Sequence, residues 1–260
     1  MSVRETVLAG TDGSEPALTA VRWAALEAQR RSTTLTVLHA YEDWPNPPGD
    51  LRERAEAVVA EAREAVYRLV PAVTVHTVVV PGDPAADLVQ HAATAGLAVV
   101  GNRGRGGFAS LLLGSVSQWV ATRARCPVVV VRGRTVAFTD PVAVGADDSP
   151  AGRTAIEAAF RIADARGASL LAVHAFRERP GHRETGEAGL LDRLLRPWRE
   201  KFPQVPVGTL VNAGPVGRLL VGVSQQAQLI VAGAHDSGGL PGTVTGRLLH
   251  HADCPVFIAR

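Results

Sequence analysis

Short runs of apolar, β-branched residues alternate along this chain with longer amphipathic stretches. The runs Val3–Ala9, Thr33–Ala40, Val73–Val80, Leu97–Gly101 and Val128–Val131 predict strands. They are continuously apolar rather than alternating, as expected of strands buried on both faces of a parallel sheet. After the first run, Val21, Ala24, Ala25 and Ala28 recur at helical spacing. Ser14 is placed to cap that helix, and Pro16 stands in its first turn. Further helices are predicted over Leu51–Leu69 and Pro84–Ala95, with a fourth starting near Ser115. Alternating strands and helices predict a doubly wound α/β architecture. Each such set needs roughly 130 residues for a five-stranded, mainly parallel sheet and about four helices.

The pattern then repeats. Val7-Leu8-Ala9-Gly10-Thr11-Asp12-Gly13-Ser14 returns 135 positions later as Val142-Ala143-Val144-Gly145-Ala146-Asp147-Asp148-Ser149. Leu35-Thr36-Val37-Leu38-His39-Ala40 returns as Leu170-Leu171-Ala172-Val173-His174-Ala175. Ala124-Arg125-Cys126-Pro127-Val128 returns 128 positions later as Ala252-Asp253-Cys254-Pro255-Val256. Matched order with a drifting offset predicts duplication followed by small deletions. Two tandem domains are expected, 1–132 and 141–260, joined by a linker at 133–140. In the second, Ser149 and Pro150 open the first helix, and Ile156, Ala159, Phe160 and Ala163 form its buried face.

Composition narrows the picture. The chain of 260 residues is 46% hydrophobic and 20% charged, with a net charge of +2. That fits a globular protein and argues against nucleic acid as the default partner. Lys201 is the only lysine, so no mechanism can use one elsewhere. The two cysteines are too few for a disulfide framework or a cysteine zinc site, and are read as small buried hydrophobes. No signal core or membrane-length apolar run is present, so a cytoplasmic protein without membrane attachment is the expectation.

Ligands of open α/β sheets bind outside the carboxyl ends of the strands. The first strand is followed by Gly10-Thr11-Asp12-Gly13-Ser14. The fourth is followed by Gly101-Asn102-Arg103-Gly104-Arg105-Gly106-Gly107, and later by Gly114-Ser115-Val116-Ser117. Glycines let backbone amides approach an anion, and a helix N-terminus favours negative charge. The hydroxyls of Ser115 and Ser117 are further candidate donors. The stretch reads as a phosphate cradle, with a surface loop as the bland alternative. It is not a Walker A loop, which needs Gly-Lys-Ser/Thr, nor a dinucleotide fingerprint, whose glycines follow the first strand.

Gly101-x2-Gly104-x9-Gly114-Ser115 resembles the nucleotide-binding pattern of the universal stress proteins that bind ATP. The opening Gly10–Ser14, the strand end His39-Ala40 and the closing Cys126-Pro127-Val128 are similar to that family too. The resemblance extends over nearly the whole chain, in the tandem arrangement of actinobacterial members. It implies an adenine nucleotide α-hydrolase-like fold and ATP, with or without Mg2+, as ligand. It implies that Asp12, beside Gly10 and Thr11, accepts from the ribose hydroxyls, and that the backbone of Ala40 meets the adenine edge. It implies that the glycine loop from Gly101 wraps ribose and phosphates, and that Gly114, Ser115, Val116 and Ser117 hold the phosphates. A carboxylate suits a ribose diol and repels phosphate, so this order is physically consistent. The resemblance further implies an unidentified protein partner and a homodimer through the final-strand edges.

The second copy departs from the pattern. It keeps Gly145, Asp147 and His174-Ala175, and Gly242-Thr243-Val244-Thr245 aligns with Gly114–Ser117. Gly233 and Gly242 are nine apart where Gly101 and Gly114 are thirteen apart, which removes about 13 Å of chain contour. Asp236 replaces Gly104 and adds negative charge beside the expected phosphates. Either this copy has lost nucleotide binding, or it binds through a shortened loop using Gly238, Gly239 and Thr243. His39 and His174 are read as hydrogen-bonded strand-end histidines rather than catalytic groups.

The expected function is ATP binding in a regulatory, stress-response role without efficient catalysis. No general base, metal carboxylate pair or transition-state lysine is evident. Slow hydrolysis stays open, as do ADP, AMP or a cyclic nucleotide as ligand. The alternative is a nucleotide-independent interaction module of the same fold. A phosphoacceptor receiver is rejected because it needs a lysine after the fifth strand.

Overall fold

Val7–Gly10 forms the first strand, β1, and all four residues are buried, as its unbroken apolar character requires. It is followed by α1 (Glu15–Arg30), β2 (Leu35–Tyr41), α2 (Leu51–Leu69), β3 (Val75–Pro81), α3 (Pro84–Ala92), β4 (Leu97–Gly101), α4 (Ser115–Arg123) and β5 (Val128–Val131). The computed structural model describes residues 6–41, 50–104, 113–135, 139–177, 184–234 and 243–260. The chain divides into two compact units, 1–131 and 132–260.

In the first unit the strands lie parallel in the order β3-β2-β1-β4-β5. Val7 pairs with Leu35 on one side and Leu97 on the other. The chain thus runs outward from β1 in both directions, and the order reverses between β1 and β4. A crevice forms at such a switch point, outside the strand ends. Helices α1 and α2 pack together on the sheet, as do α3 and α4, so β1, β4 and β5 are buried throughout. Leu8, Leu38 and Leu97 are among the largest fully buried side chains. Val21, Ala24, Ala25 and Ala28 are wholly buried on α1.

The second unit repeats the plan with β6 (Val142–Gly145), α5 (Pro150–Arg166), β7 (Leu170–Phe176), α6 (Glu184–Lys201), β8 (Val207–Ala213), α7 (Val216–Ser224), β9 (Leu229–Gly233), α8 (Thr243–His251) and β10 (Val256–Ala259). Its strands are parallel in the order β8-β7-β6-β9-β10. Phe160 of α5 stacks with Trp198 and Phe202 at centroid distances of 6.4 and 6.0 Å. In the stretch expected as a linker, Arg134 donates its amide to the Asp253 carbonyl at 2.7 Å, which ties it into this unit.

Several boundaries shift for local reasons. Strand β2 starts at Leu35, not Thr33, because the Thr33 amide closes the end of α1 on the Ala28 carbonyl. Strand β3 starts after Val73, whose amide turns back to the Val70 carbonyl. Helix α3 ends at Ala92 because Ala93, Thr94 and Ala95 form tighter turns on Gln90, His91 and Ala92. Ser14 occupies the N-cap position of α1 but makes no side-chain cap bond. Its hydroxyl donates to Asp12 instead, whereas Ser149 does cap α5 by accepting from the Gly152 amide. No helix among the described residues is long and apolar enough to cross a membrane.

Candidate functional site

The carboxyl end of β1 is built around Asp12. Its Oδ1 accepts from the Ser14 amide at 3.0 Å and the Ser14 hydroxyl at 2.6 Å, closing a local turn that sets the carboxylate's direction. The turn is anchored to β2 on both sides of Thr11. The Thr11 amide donates to the Leu38 carbonyl at 2.9 Å, and the Thr11 carbonyl lies 2.8 Å from His39 Nδ1. A carbonyl only accepts, so Nδ1 carries the proton in that bond.

The carboxyl end of β4 comes up beside it. Gly101 is buried, and a Cβ there would stand 2.7 Å from the Pro16 carbonyl oxygen, so only glycine lets β4 pass α1 this closely. Gly104 lies directly against Asp12, where a Cβ would overlap Oδ2. The loop mouth is held by Asn102, whose amide donates to the Val131 carbonyl at 3.0 Å and whose carbonyl accepts from Gly114 at 2.8 Å. Gly114 is the extended N-cap of α4. The amides of Ser115, Val116 and Ser117 precede the first intrahelical bond, made by Gln118 to Gly114 at 3.0 Å.

These segments enclose a cleft of about 310 Å³, within the roughly 300–1,000 Å³ range of small-molecule sites. Of the expected residues, Gly10, Thr11, Asp12 and Ala40 line it, as do Gly101, Arg103 and Gly104 and the run Gly114–Ser117. Two details differ from the sequence reading. Asn102 is not among the lining residues; its amide and carbonyl hold the mouth of the loop. The buried Ser117 hydroxyl donates to the Gly101 carbonyl at 2.5 Å, so its proton is used internally. Arg105, Gly106 and Gly107 lie outside the described residues.

The cleft also has walls that the sequence reading missed. Leu38, His39 and Val100 reach it from β2 and β4, Ala17 from α1, and Pro84 and Leu88 from α3. The four-residue spacing of Pro84 and Leu88 is a signal for one helical face, but nothing local says what that face meets. Among the described residues the lining combines an apolar wall, the Asp12 carboxylate, the His39 imidazole, the Arg103 guanidinium and a helix N-terminus. Such a set suits an amphipathic anion with an apolar end. Among the described residues, no group of three or more His, Cys, Asp and Glu side chains could hold a metal ion.

The second unit copies the frame. Asp147 Oδ1 accepts from the Ser149 amide at 2.9 Å and its hydroxyl at 2.5 Å. Gly145 ends β6, and His174 Nδ1 meets the Ala146 carbonyl at 2.8 Å. Ala175 pairs with Asn212 in the sheet. Thr245 on α8 donates to the Gly233 carbonyl at 3.4 Å, a longer version of the Ser117 bond. Thr243 and Val244 open α8, while Asp236 and Gly242 lie outside the described residues. One contact has no counterpart in the first unit among the described residues: Glu187 Oε2 lies 2.8 Å from His174 Nε2, with both side chains largely buried.

Comparison with known proteins agrees with the repeat and the fold. The model of the universal stress protein family matches twice, over residues 4–132 and 139–260. A universal stress protein of Mycobacterium tuberculosis is 36% identical over 98% of this chain and 96% of its own. One from Mycolicibacterium smegmatis is 34% identical over the same shares. A solved universal stress protein from Archaeoglobus fulgidus superposes over 99% of this chain and 98% of its own, with a TM-score of 0.75 at 19% identity. With two consecutive matches to one family and relatives aligned nearly end to end, this chain belongs to the universal stress protein family, in a tandem two-unit form.

Proposed function

We propose that the first unit binds an adenine nucleotide, ATP with Mg2+, and that the chain serves as a nucleotide-responsive regulator in stress rather than as an efficient enzyme. The observation that carries this reading is the joining of Asp12, Gly104 and the N-terminus of α4 around one cleft. Asp12 takes the ribose hydroxyls, since an anionic acceptor suits a diol and repels phosphate. The phosphates go to the amides of Ser115, Val116 and Ser117, with Arg103 beside them, where the helix dipole favours negative charge. The base rests on the apolar wall of Leu88, Ala17 and Val100, its edge towards the backbone of Ala40. Magnesium enters on the phosphate oxygens. The glycine at 104 supports the reading, because a side chain there would displace the Asp12 carboxylate, whereas Gly101 serves the close packing of β4 on α1.

The second unit is the weaker site in this proposal, and one nucleotide binds per chain. The contact that favours this is the Glu187–His174 pair, which adds a carboxylate beside the strand-end histidine. Calorimetric titration of MgATP into protein stripped of bound nucleotide tests both points. A stoichiometry near one per chain is expected. A value near two would show that the shortened loop still works. Absence of binding, also seen by equilibrium dialysis, would leave the nucleotide-independent interaction module as the better account.

A further inference from the structure

His39, near the end of β2, lines the cleft together with Thr11, Asp12 and Ala40. Its Nδ1 donates to the Thr11 carbonyl at 2.8 Å, so the other ring nitrogen, Nε2, is an acceptor in the neutral imidazole. No described residue gives that acceptor a hydrogen bond. The bond to Thr11 also fixes the ring beside the residue that precedes Asp12.

The second unit carries the same histidine with Nε2 already taken. His174 Nδ1 meets the Ala146 carbonyl at 2.8 Å, and its Nε2 lies 2.8 Å from Glu187 Oε2 on α6. Helices α2 and α6 end at Leu69 and Lys201, and the strands that follow, β3 and β8, each start six residues later, at Val75 and Val207. Glu187 lies fourteen residues before Lys201, as Ala55 lies fourteen before Leu69, so the two positions correspond. Ala55 is buried and offers no polar side-chain atom. The first unit therefore keeps the histidine of this corner and lacks the carboxylate that occupies it in the second.

The ligand read into this cleft brings the matching donors. A ribose diol carries two hydroxyl groups, each able to donate. Asp12 Oδ1 already accepts from the Ser14 amide and hydroxyl, and Oδ2 is the oxygen that stands against Gly104 at the mouth. A second acceptor from His39 would complete the pair.

We infer that His39 is a specificity-determining residue of the first unit: its Nε2 accepts from one ribose hydroxyl while Asp12 accepts from the other, so that the site selects ribonucleotides over deoxyribonucleotides. This rests on the nucleotide reading of the same cleft. A site built to bond a hydroxyl rejects the analogue that lacks it, because its own polar group is then left unpaired. In the second unit Glu187 takes the histidine atom that a ribose would need.

The test compares MgATP with the magnesium complexes of 2′-deoxy-ATP and 3′-deoxy-ATP by calorimetric titration, on the full chain and on His39→Asn and His39→Gln. The wild type is expected to bind each deoxy analogue about tenfold more weakly than ATP. The Asn amide can keep the bond to Thr11 but places nothing at Nε2. His39→Asn should therefore bind one analogue within about threefold of ATP, while the other, which lacks the hydroxyl held by Asp12, stays about tenfold weaker. The longer Gln amide can present its oxygen near the place of Nε2, so His39→Gln should restore most of the lost discrimination. Ratios unchanged in His39→Asn overturn the inference, as does an equal loss of all three nucleotides, the mark of a merely structural role. A wild type that binds all three equally also overturns it, while leaving the nucleotide site standing. A wild type that binds none removes both readings together.

Discussion

Gly104 and Asp12 are in direct register across the mouth of the first unit: the glycine has no room for a Cβ because Oδ2 of the aspartate occupies that space. The contact joins the end of β4 to the end of β1 and makes one site from two segments about ninety residues apart in sequence. Gly104→Val should therefore push the Asp12 carboxylate out of place. We expect at least a tenfold loss of MgATP affinity by calorimetry. Because Gly104 is exposed, the melting temperature should move by less than about 3 °C. Retained affinity would mean that the ribose is not held by Asp12.

The paired hydroxyl bonds in the two units make an internal comparison. Ser117 donates to Gly101 at 2.5 Å from a buried position, whereas Thr245 donates to Gly233 at 3.4 Å. Ser117→Ala leaves a buried carbonyl without its donor and should cost about 1–3 kcal/mol by urea unfolding. Thr245→Ser, which keeps the longer bond and loses only a methyl group, should cost about 1 kcal/mol or less. Equal losses would show that the Ser117 bond has no special weight.

His174 is held at both ring nitrogens, by the Ala146 carbonyl and by Glu187. Removing one member of a buried pair strands the other, so Glu187→Ala and His174→Ala should each destabilise by about 1–3 kcal/mol. The double variant should lose less than the sum, with a coupling of about 0.5 kcal/mol or more. Strict additivity would show that the two side chains act separately.

Burial pushes the Cys254 thiol up to about 12 from 9.0. Its protonated form is favoured in the folded state, so its contribution to stability is present below about pH 9 and is lost as the pH rises towards 12. Cys254→Ala should flatten the fall of the urea midpoint between pH 8.5 and pH 10.5. Cys126 is also buried, so both thiols should resist a thiol reagent at pH 8 in the native protein and react on unfolding. Rapid labelling of the native chain would contradict this.

What the sequence determined by itself is what depends on neighbours along the chain. Pro16 and Pro150 mark helix starts, unbroken valine runs mark strands covered on both faces, and the spacing of Gly101, Gly104 and Gly114 marks a loop that lets backbone approach a ligand. Each signal is a period or a backbone preference, and each acts over a few residues. The repeat of Gly10–Ser14 as Gly145–Ser149 added the tandem plan, because duplicated segments fold alike. Only the tertiary structure decided which groups face one another. Ser14 reads as a cap, yet its hydroxyl turns to Asp12, and the proton of Ser117 goes to Gly101. Pro84, Leu88, Ala17 and Val100 are ordinary helix and strand residues until the order β3-β2-β1-β4-β5 brings their elements to one crevice. Glu187 meets His174, and Asp87 settles over Gly82, for the same reason. Side-chain hydrogen bonds and cavity walls depend on distances between elements, and sheet order fixes those distances while local periodicity does not.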